Sequence, residues 1–400
     1  MTDITDYAHY AATGLQLAWP LAMALAWMAG ELVYRWTALP RIAVYGLAGF
    51  LFGNLAAAYL PPSDAKNFML LANLGFGLIL FELGYRINLR WLRSNPWIVV
   101  TSLLEAACTF AAVYFIAAWA GMDRLPAALT ASLAMSSSPA GLLRVLNEQG
   151  AAGQVTERAM HLTALNCVMA VFTFNVVVGI GLFQTSGDLA HAAGSSLLVL
   201  AVSSGLGAVF GALVPLWLRT IDAARDATLA FALAVVLLVA VTHVLQFSPV
   251  LAALTFGLVA RHRRISLSPA QRNFGVLGDL LAVLMFFFVA TRVEVEQVGG
   301  GIALGVLLVL VRAVVKIGVC TAFARVSGIT ARKGALSGLA LTPMAVFAIL
   351  LMEQTRWIGV DLLDSLAPLA AAMLLLDVLG PVLTQRAVVW ANEHRVAKEA

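Results

Sequence analysis

Arg312 and Lys316 sit four residues apart near the middle of Gly305–Ala324 (GVLLVLVRAVVKIGVCTAFA), an otherwise apolar stretch long enough to cross a bilayer. A lone cation at that depth costs about 2.5 to 3.5 kcal/mol on insertion scales, so a carboxylate or a polar pocket must compensate it. The spacing puts both side chains on one helix face, where a single pocket serves both. Ionisable residues inside a membrane mark ion or proton pathways. The plainer alternatives are a structural ion pair, or an arginine whose head snorkels to the interface.

The rest of the chain must hold such a pocket. Of 400 residues, 61% are hydrophobic and 12% charged, and the mean hydropathy is +0.91. A soluble domain is about 25% charged, so the composition is that of a polytopic, all-α membrane protein and the lipid bilayer is its first partner. The opening MTDITDYAHY is polar and acidic without a basic n-region, so no cleaved signal peptide is expected. Cys108, Cys167 and Cys320 fall in apolar runs, which gives neither a metal-ligand spacing nor an expected disulfide. No cofactor is implied. The formal charge of +4 accompanies no basic run interleaved with aromatics and no Gly-rich phosphate loop, which argues against a nucleic-acid partner. No cluster of nucleophile, base and orienting group is visible, which argues against an enzyme.

Apolar runs between charged or Pro/Gly-rich breaks predict about thirteen spans. They lie near 14–34, 39–55, 67–88, 96–120, 126–147, 158–183, 194–218, 226–246, 248–261, 274–292, 301–325, 333–354 and 364–387. Lys and Arg alternate sharply between loops. Those following odd-numbered spans hold nineteen, including Arg86, Arg90, Arg93, Arg158, Arg261 and Lys333, whereas those following even-numbered spans hold only Lys66, Arg124, Arg292 and Arg356. The positive-inside rule then puts the N-terminus outside and the C-terminus in the cytoplasm, in a cell (inner) membrane.

Similar residues recur about two hundred positions apart. Asn67, Phe68 and Asn73 return as Asn273, Phe274 and Asp279; Pro40 returns as Pro249; and Ser138-Pro139 returns as Thr342-Pro343. The chain therefore reads as one transmembrane domain, 1–400, of two six-helix repeats, about 14–183 and 226–387. A linker helix at about 194–218 inverts the second repeat. Span five carries Ser136, Ser137 and Ser138 before Pro139, and span twelve carries Thr342 before Pro343. Each proline removes a helical donor and frees a carbonyl. Two breaks meeting at mid-membrane bring half-helix ends and open carbonyls together as an ion site, whereas an ordinary proline kink is the alternative.

At these residues the chain resembles the monovalent cation:proton antiporter superfamily, with its sodium/proton exchanger-like transmembrane domain. Leu39-Pro40-Arg41, Leu80-Phe81 with Gly84, Ser137-Ser138-Pro139, Leu165-Asn166, Ser248-Pro249, Lys316 with Arg325, and Leu341-Thr342-Pro343 carry the likeness over nearly the whole length. The resemblance implies a core of spans four to six and eleven to thirteen, with broken crossing helices. It also implies a dimerisation domain, elevator motion, and a homodimer exchanging a monovalent cation, sodium or potassium, for protons. Family members typically keep an Asp after the span-six Asn; here Asn166 is followed by Cys167. Lys316 matches a lysine that many members pair with that Asp. The resemblance therefore implies Lys316, Asn166 and Cys167 at the ion- and proton-coupling site, to which the shared helix face adds Arg312, with a carboxylate from elsewhere. Glu105, Asp279 and Asp377 lie deep enough, and Asp377 is preferred because span thirteen is the repeat mate of span six. His161 and His243 read as hydrogen-bonded helix residues.

The leading function is therefore cation:proton antiport. The positive pair beside half-helix N-termini leaves open an anion or organic-solute transporter on the same fold, and the missing Asp leaves open a transport-inactive sensor or partner subunit.

Overall fold

A computed structural model of the chain describes residues 3–56, 65–182, 189–218, 226–245, 247–262, 275–291, 295–344 and 367–394. These residues are helical wherever they are regular. The helices are α1 (Asp3–Thr37), α2 (Arg41–Ala56), α3 (Ala65–Arg86), α4 (Leu89–Ser94), α5 (Trp97–Trp119), α6 (Arg124–Ala134) and α7 (Pro139–Glu148). They continue with α8 (Gln154–Leu182), α9 (Leu189–Leu218), α10 (Asp226–Val244), α11 (Pro249–His262), α12 (Gly275–Thr291), α13 (Val295–Ala322), α14 (Ala331–Ala340) and α15 (Ala367–Trp390). Among the described residues, five helices are long and apolar enough to cross a membrane by length and composition: those within α5, α8, α9, α13 and α15. Leucines such as Leu197, Leu198, Leu213, Leu233 and Leu310 stay exposed on these and neighbouring helices, as a lipid-facing surface requires. The chain is a multi-pass membrane protein whose described residues are all-helical.

Packing sorts the helices. α5, α6, α8, α13, α14 and α15 pack against one another, with α7 joined to α8 and α15. α1, α2 and α12 form a second set with α3, α9, α10 and α11, and the two sets meet along α2–α15, α8–α9 and α3–α7. Close approach of backbones, not bulk, drives such packing in lipid. A Cβ on Gly84 of α3 would lie 2.0 Å from the Leu254 carbonyl oxygen of α11, and one on Gly257 of α11 would lie 2.1 Å from that of Phe81 of α3. Each glycine thus admits the other helix's backbone.

Sequence alone did not suggest the six-residue α4, which Asn88 starts by accepting hydrogen bonds at Oδ1 from the Arg90 and Trp91 amides. The side chains of Asn67, Phe68, Asn73 and Asp279 lie outside the described residues, as do Asn273, Phe274 and the part of span twelve beyond Met344.

Candidate functional site

The break in the fifth span falls between Ala134, the last residue of α6, and Pro139, the first of α7. Proline at the first helical position costs nothing there, since its missing N–H would be unsatisfied anyway. Ser138 caps α7 by accepting from the Gly141 amide at 3.0 Å. Residues 135–138 cross the non-helical 341–344, which follows α14. The Ser138 amide donates to the Pro343 carbonyl at 2.9 Å and Ser137 Oγ donates to the Leu341 carbonyl at 3.0 Å. Gly380 of α15 lets that crossing seat closely, since a Cβ there would lie 2.9 Å from Pro343 Cα.

Arg312 plugs the crossing. Its Nε donates to the Ala134 carbonyl at 2.7 Å and its Nη2 to that of Ser136 at 2.5 Å. The guanidinium also donates to the carbonyls of Thr342, Leu341 and Pro343. Ala134 is the last residue of α6, and the other four carbonyls lie in the non-helical segments that follow α6 and α14, at the negative ends of both helix dipoles. Arg312 is 2% exposed, so its charge is met by oxygens from both breaks instead of by water.

One turn along α13, Lys316 points into the same crossing. Its Nζ lies 2.6 Å from Glu105 Oε1 on α5, with neither side chain exposed to solvent. Nζ also lies 3.3 Å from the Met135 carbonyl and from Ser137 Oγ, both acceptors at the break. Glu105 is held at both oxygens: Oε1 accepts from Thr109 Oγ1 at 3.0 Å, and Oε2 accepts from Asn166 Nδ2 at 2.6 Å. Ser102 Oγ donates to Asn166 Oδ1 at 2.9 Å. An ion pair this deep is stable only when its remaining valences are met, and here they are.

The structure thus brings together Lys316, Asn166, Cys167, Arg312, Ser136, Ser137, Ser138, Thr342 and Pro343. It departs from sequence expectation on the carboxylate. Lys316 pairs with Glu105, whereas Asp377 on α15 faces Gly46 of α2, where a Cβ would lie 3.7 Å from Asp377 Cβ. Residue recurrence in the sequence says nothing of the rotation of α15 about its axis, and that rotation carries Asp377 to the seam with α2. A local signal for Glu105 was present: Ser102, Glu105 and Thr109 line one face of an otherwise apolar α5 at spacings of three and four. Cys167 is fully buried and donates through Sγ to the Ser137 carbonyl at 3.4 Å. His161 stands outside the site, its Nδ1 against the Glu157 carbonyl at 2.7 Å and its Nε2 accepting from the Asn88 amide. Among the described residues, no group of three or more His, Cys, Asp or Glu forms a metal-binding cluster.

Comparison with known proteins agrees with this architecture. Two solved structures of the sodium proton antiporter MjNhaP1 from Methanocaldococcus jannaschii share the fold. One, at pH 8, has a TM-score of 0.65 and 15% identity, covering 94% of this chain and 97% of the other. The second, from electron microscopy, has a TM-score of 0.71 and 16% identity, covering 92% and 95%. The low-affinity Na(+)/H(+) antiporter NhaS1 of a Synechocystis strain is 26% identical over 136 residues, which span 33% of this chain and 26% of that relative. The profile of the transmembrane sodium/hydrogen exchanger family matches residues 21–388. Spanning almost the entire chain and enclosing the crossing, Glu105 and Lys316, that match makes the protein a member of the sodium/hydrogen exchanger transmembrane family, a family of transporters and not of enzymes.

Proposed function

We propose that the chain exchanges a monovalent cation, sodium or potassium, for a proton, and that the Glu105–Lys316 pair is where the two compete. The observation that carries this reading is the fully buried 2.6 Å contact between Lys316 Nζ and Glu105 Oε1 at the crossing of the two broken segments. In the proton-loaded state, the Lys316 ammonium neutralises Glu105. An arriving cation takes the oxygens that the ammonium now uses: Glu105 Oε1, Ser137 Oγ and the Met135 carbonyl. These are hard oxygen donors suited to an alkali cation. An ammonium left without its carboxylate in a buried pocket gives up its proton, because uncompensated charge is costly there. One cation enters, one proton leaves Lys316, and the net charge of the site is the same before and after.

In this scheme Asn166 holds Glu105 in place, and Glu105 supplies from α5 the carboxylate that the resemblance led one to expect on the sixth span. Cys167 contributes a hydrogen bond and no charge. Arg312 is a fixed countercharge for the crossing, since all of its observed hydrogen bonds go to carbonyls. Asp377 serves the seam between α15 and α2, along which we propose that the α5–α8 and α13–α15 unit slides as an elevator. The thirteen-span count, the inverted repeats, a homodimer formed through the other helices, and an N-terminus outside an inner membrane complete the proposal. They are supported by the positive-inside alternation and by residue recurrence at Ser138-Pro139 and Thr342-Pro343.

The test is proton flux by the purified protein in liposomes under imposed gradients of sodium, potassium or choline gluconate. Flux driven by sodium or potassium and not by choline supports the proposal; no cation-driven flux in a folded preparation refutes it.

A further inference from the structure

A second buried arginine lies one layer away from the Glu105–Lys316 pair. Arg158, near the start of α8, is 7% exposed, and among the described residues it has no carboxylate partner. Its Nη2 donates to the Ser327 carbonyl at 2.5 Å, its guanidinium carbon lies 6.0 Å from the Trp91 ring centroid, and its Nε–H is buried with no hydrogen-bond partner. Arg158 lines a small cavity with Thr101, Leu162, Cys320, Ser327 and Ser337.

The register of that cavity is regular. Thr101 precedes Glu105 by one turn on α5, Leu162 precedes Asn166 by one turn on α8, and Cys320 follows Lys316 by one turn on α13. Ser337 precedes Leu341, whose carbonyl joins the crossing, by one turn at the end of α14. The same four helices that position the buried pair therefore enclose the cavity.

Arg312 meets its charge with carbonyls of both breaks, whereas Arg158 has one carbonyl and an unpaired Nε–H, a setting that favours an anion beside it. The cavity has room for a single small occupant of about a water's size. Ile98, Leu162, Ala324 and Ile329 make part of its wall apolar. Such a wall suits a weakly hydrated monovalent ion over a phosphoryl group. We infer that Arg158 and the cavity beneath the Glu105–Lys316 pair form a binding site for a small monovalent anion of the halide class, chloride in the cell. Chloride there ties α5, α8, α13 and α14 together. This is not a transport route, and it stands whether or not the chain exchanges cations.

The test uses the full-length, detergent-purified protein and reads thermal unfolding in sodium chloride against sodium gluconate at constant sodium and ionic strength. Wild type is expected to gain several degrees saturably with chloride, with bromide acting alike, and Arg158→Gln to show no chloride-specific gain. Should Arg158→Gln fail to fold, Ser337→Val, which fills the cavity and leaves the arginine in place, is expected to lose the chloride response. Equal unfolding of wild type in chloride and gluconate overturns the inference. So does an undiminished chloride response in a folded Arg158→Gln or Ser337→Val protein.

Discussion

Lys316 Nζ and Glu105 Oε1 meet at 2.6 Å with neither side chain exposed, which joins α13 to α5 across the break between α6 and α7. The contact explains how a lysine rests in the middle of an apolar span, and it sets what each partner's loss does. Glu105→Gln strands a buried ammonium, and such half-broken pairs cost about 3 to 5 kcal/mol. A markedly lowered melting temperature and lost exchange are expected. The double variant Glu105→Gln, Lys316→Met removes both charges and is expected to regain most of the stability and none of the exchange, as thermal unfolding and liposome flux on the same preparations will show.

Cys167 offers the opposite experiment. Its thiol donates to the Ser137 carbonyl beside the pair, so Cys167→Asp adds a second carboxylate to a site that otherwise keeps its charge constant through the cycle. Exchange by wild type is expected to be indifferent to membrane voltage. Cys167→Asp is expected to make it voltage-dependent, because a further proton then accompanies the cycle. Flux at potassium-clamped potentials of either sign checks both halves.

Arg312 gathers carbonyls from both broken segments, and its geometry distinguishes fork from point charge. Arg312→Met leaves several buried carbonyls open at about 1 to 3 kcal/mol each and is expected to unfold the crossing. Arg312→Lys keeps the charge but reaches fewer carbonyls, so a folded protein of reduced melting temperature is expected. Thermal unfolding separates the two.

Glu393, just beyond α15, caps α8. Its carboxylate accepts from the Val155 and Thr156 amides at 2.9 and 2.8 Å and from Thr156 Oγ1 at 3.0 Å. A Cβ on Gly153 would sit 2.2 Å from the Glu393 carboxylate carbon, so glycine makes room for the cap. Glu393→Ala is expected to cost about 1 to 2 kcal/mol, the range of a lost N-cap. Protection of the first turn of α8 from hydrogen exchange is expected to fall most.

Much of this was readable before any coordinates, and the reasons are particular. Arg312 and Lys316 stand out because charge in an apolar run is costly, and Pro139 and Pro343 stand out because proline cannot donate within a helix. Glu105 was visible as a deep carboxylate, but its pairing depends on how α5 turns toward α13, which span counting does not address. Asp377 drew attention through repeat symmetry, which relates helices without specifying their faces. Arg158 was counted among the loop arginines, since nothing local shows that the chain around Ser327 folds over it. Glu393 lies more than two hundred residues from the amides it caps, a relation only tertiary structure supplies.

The most direct measurement is sodium- or potassium-driven proton flux in liposomes for wild type, Glu105→Gln and Asp377→Asn, each verified as folded. The account predicts flux in wild type, none in Glu105→Gln, and retained flux in Asp377→Asn. Wild-type flux from Glu105→Gln, or its loss in Asp377→Asn alone, would contradict the assignment of the coupling carboxylate to Glu105.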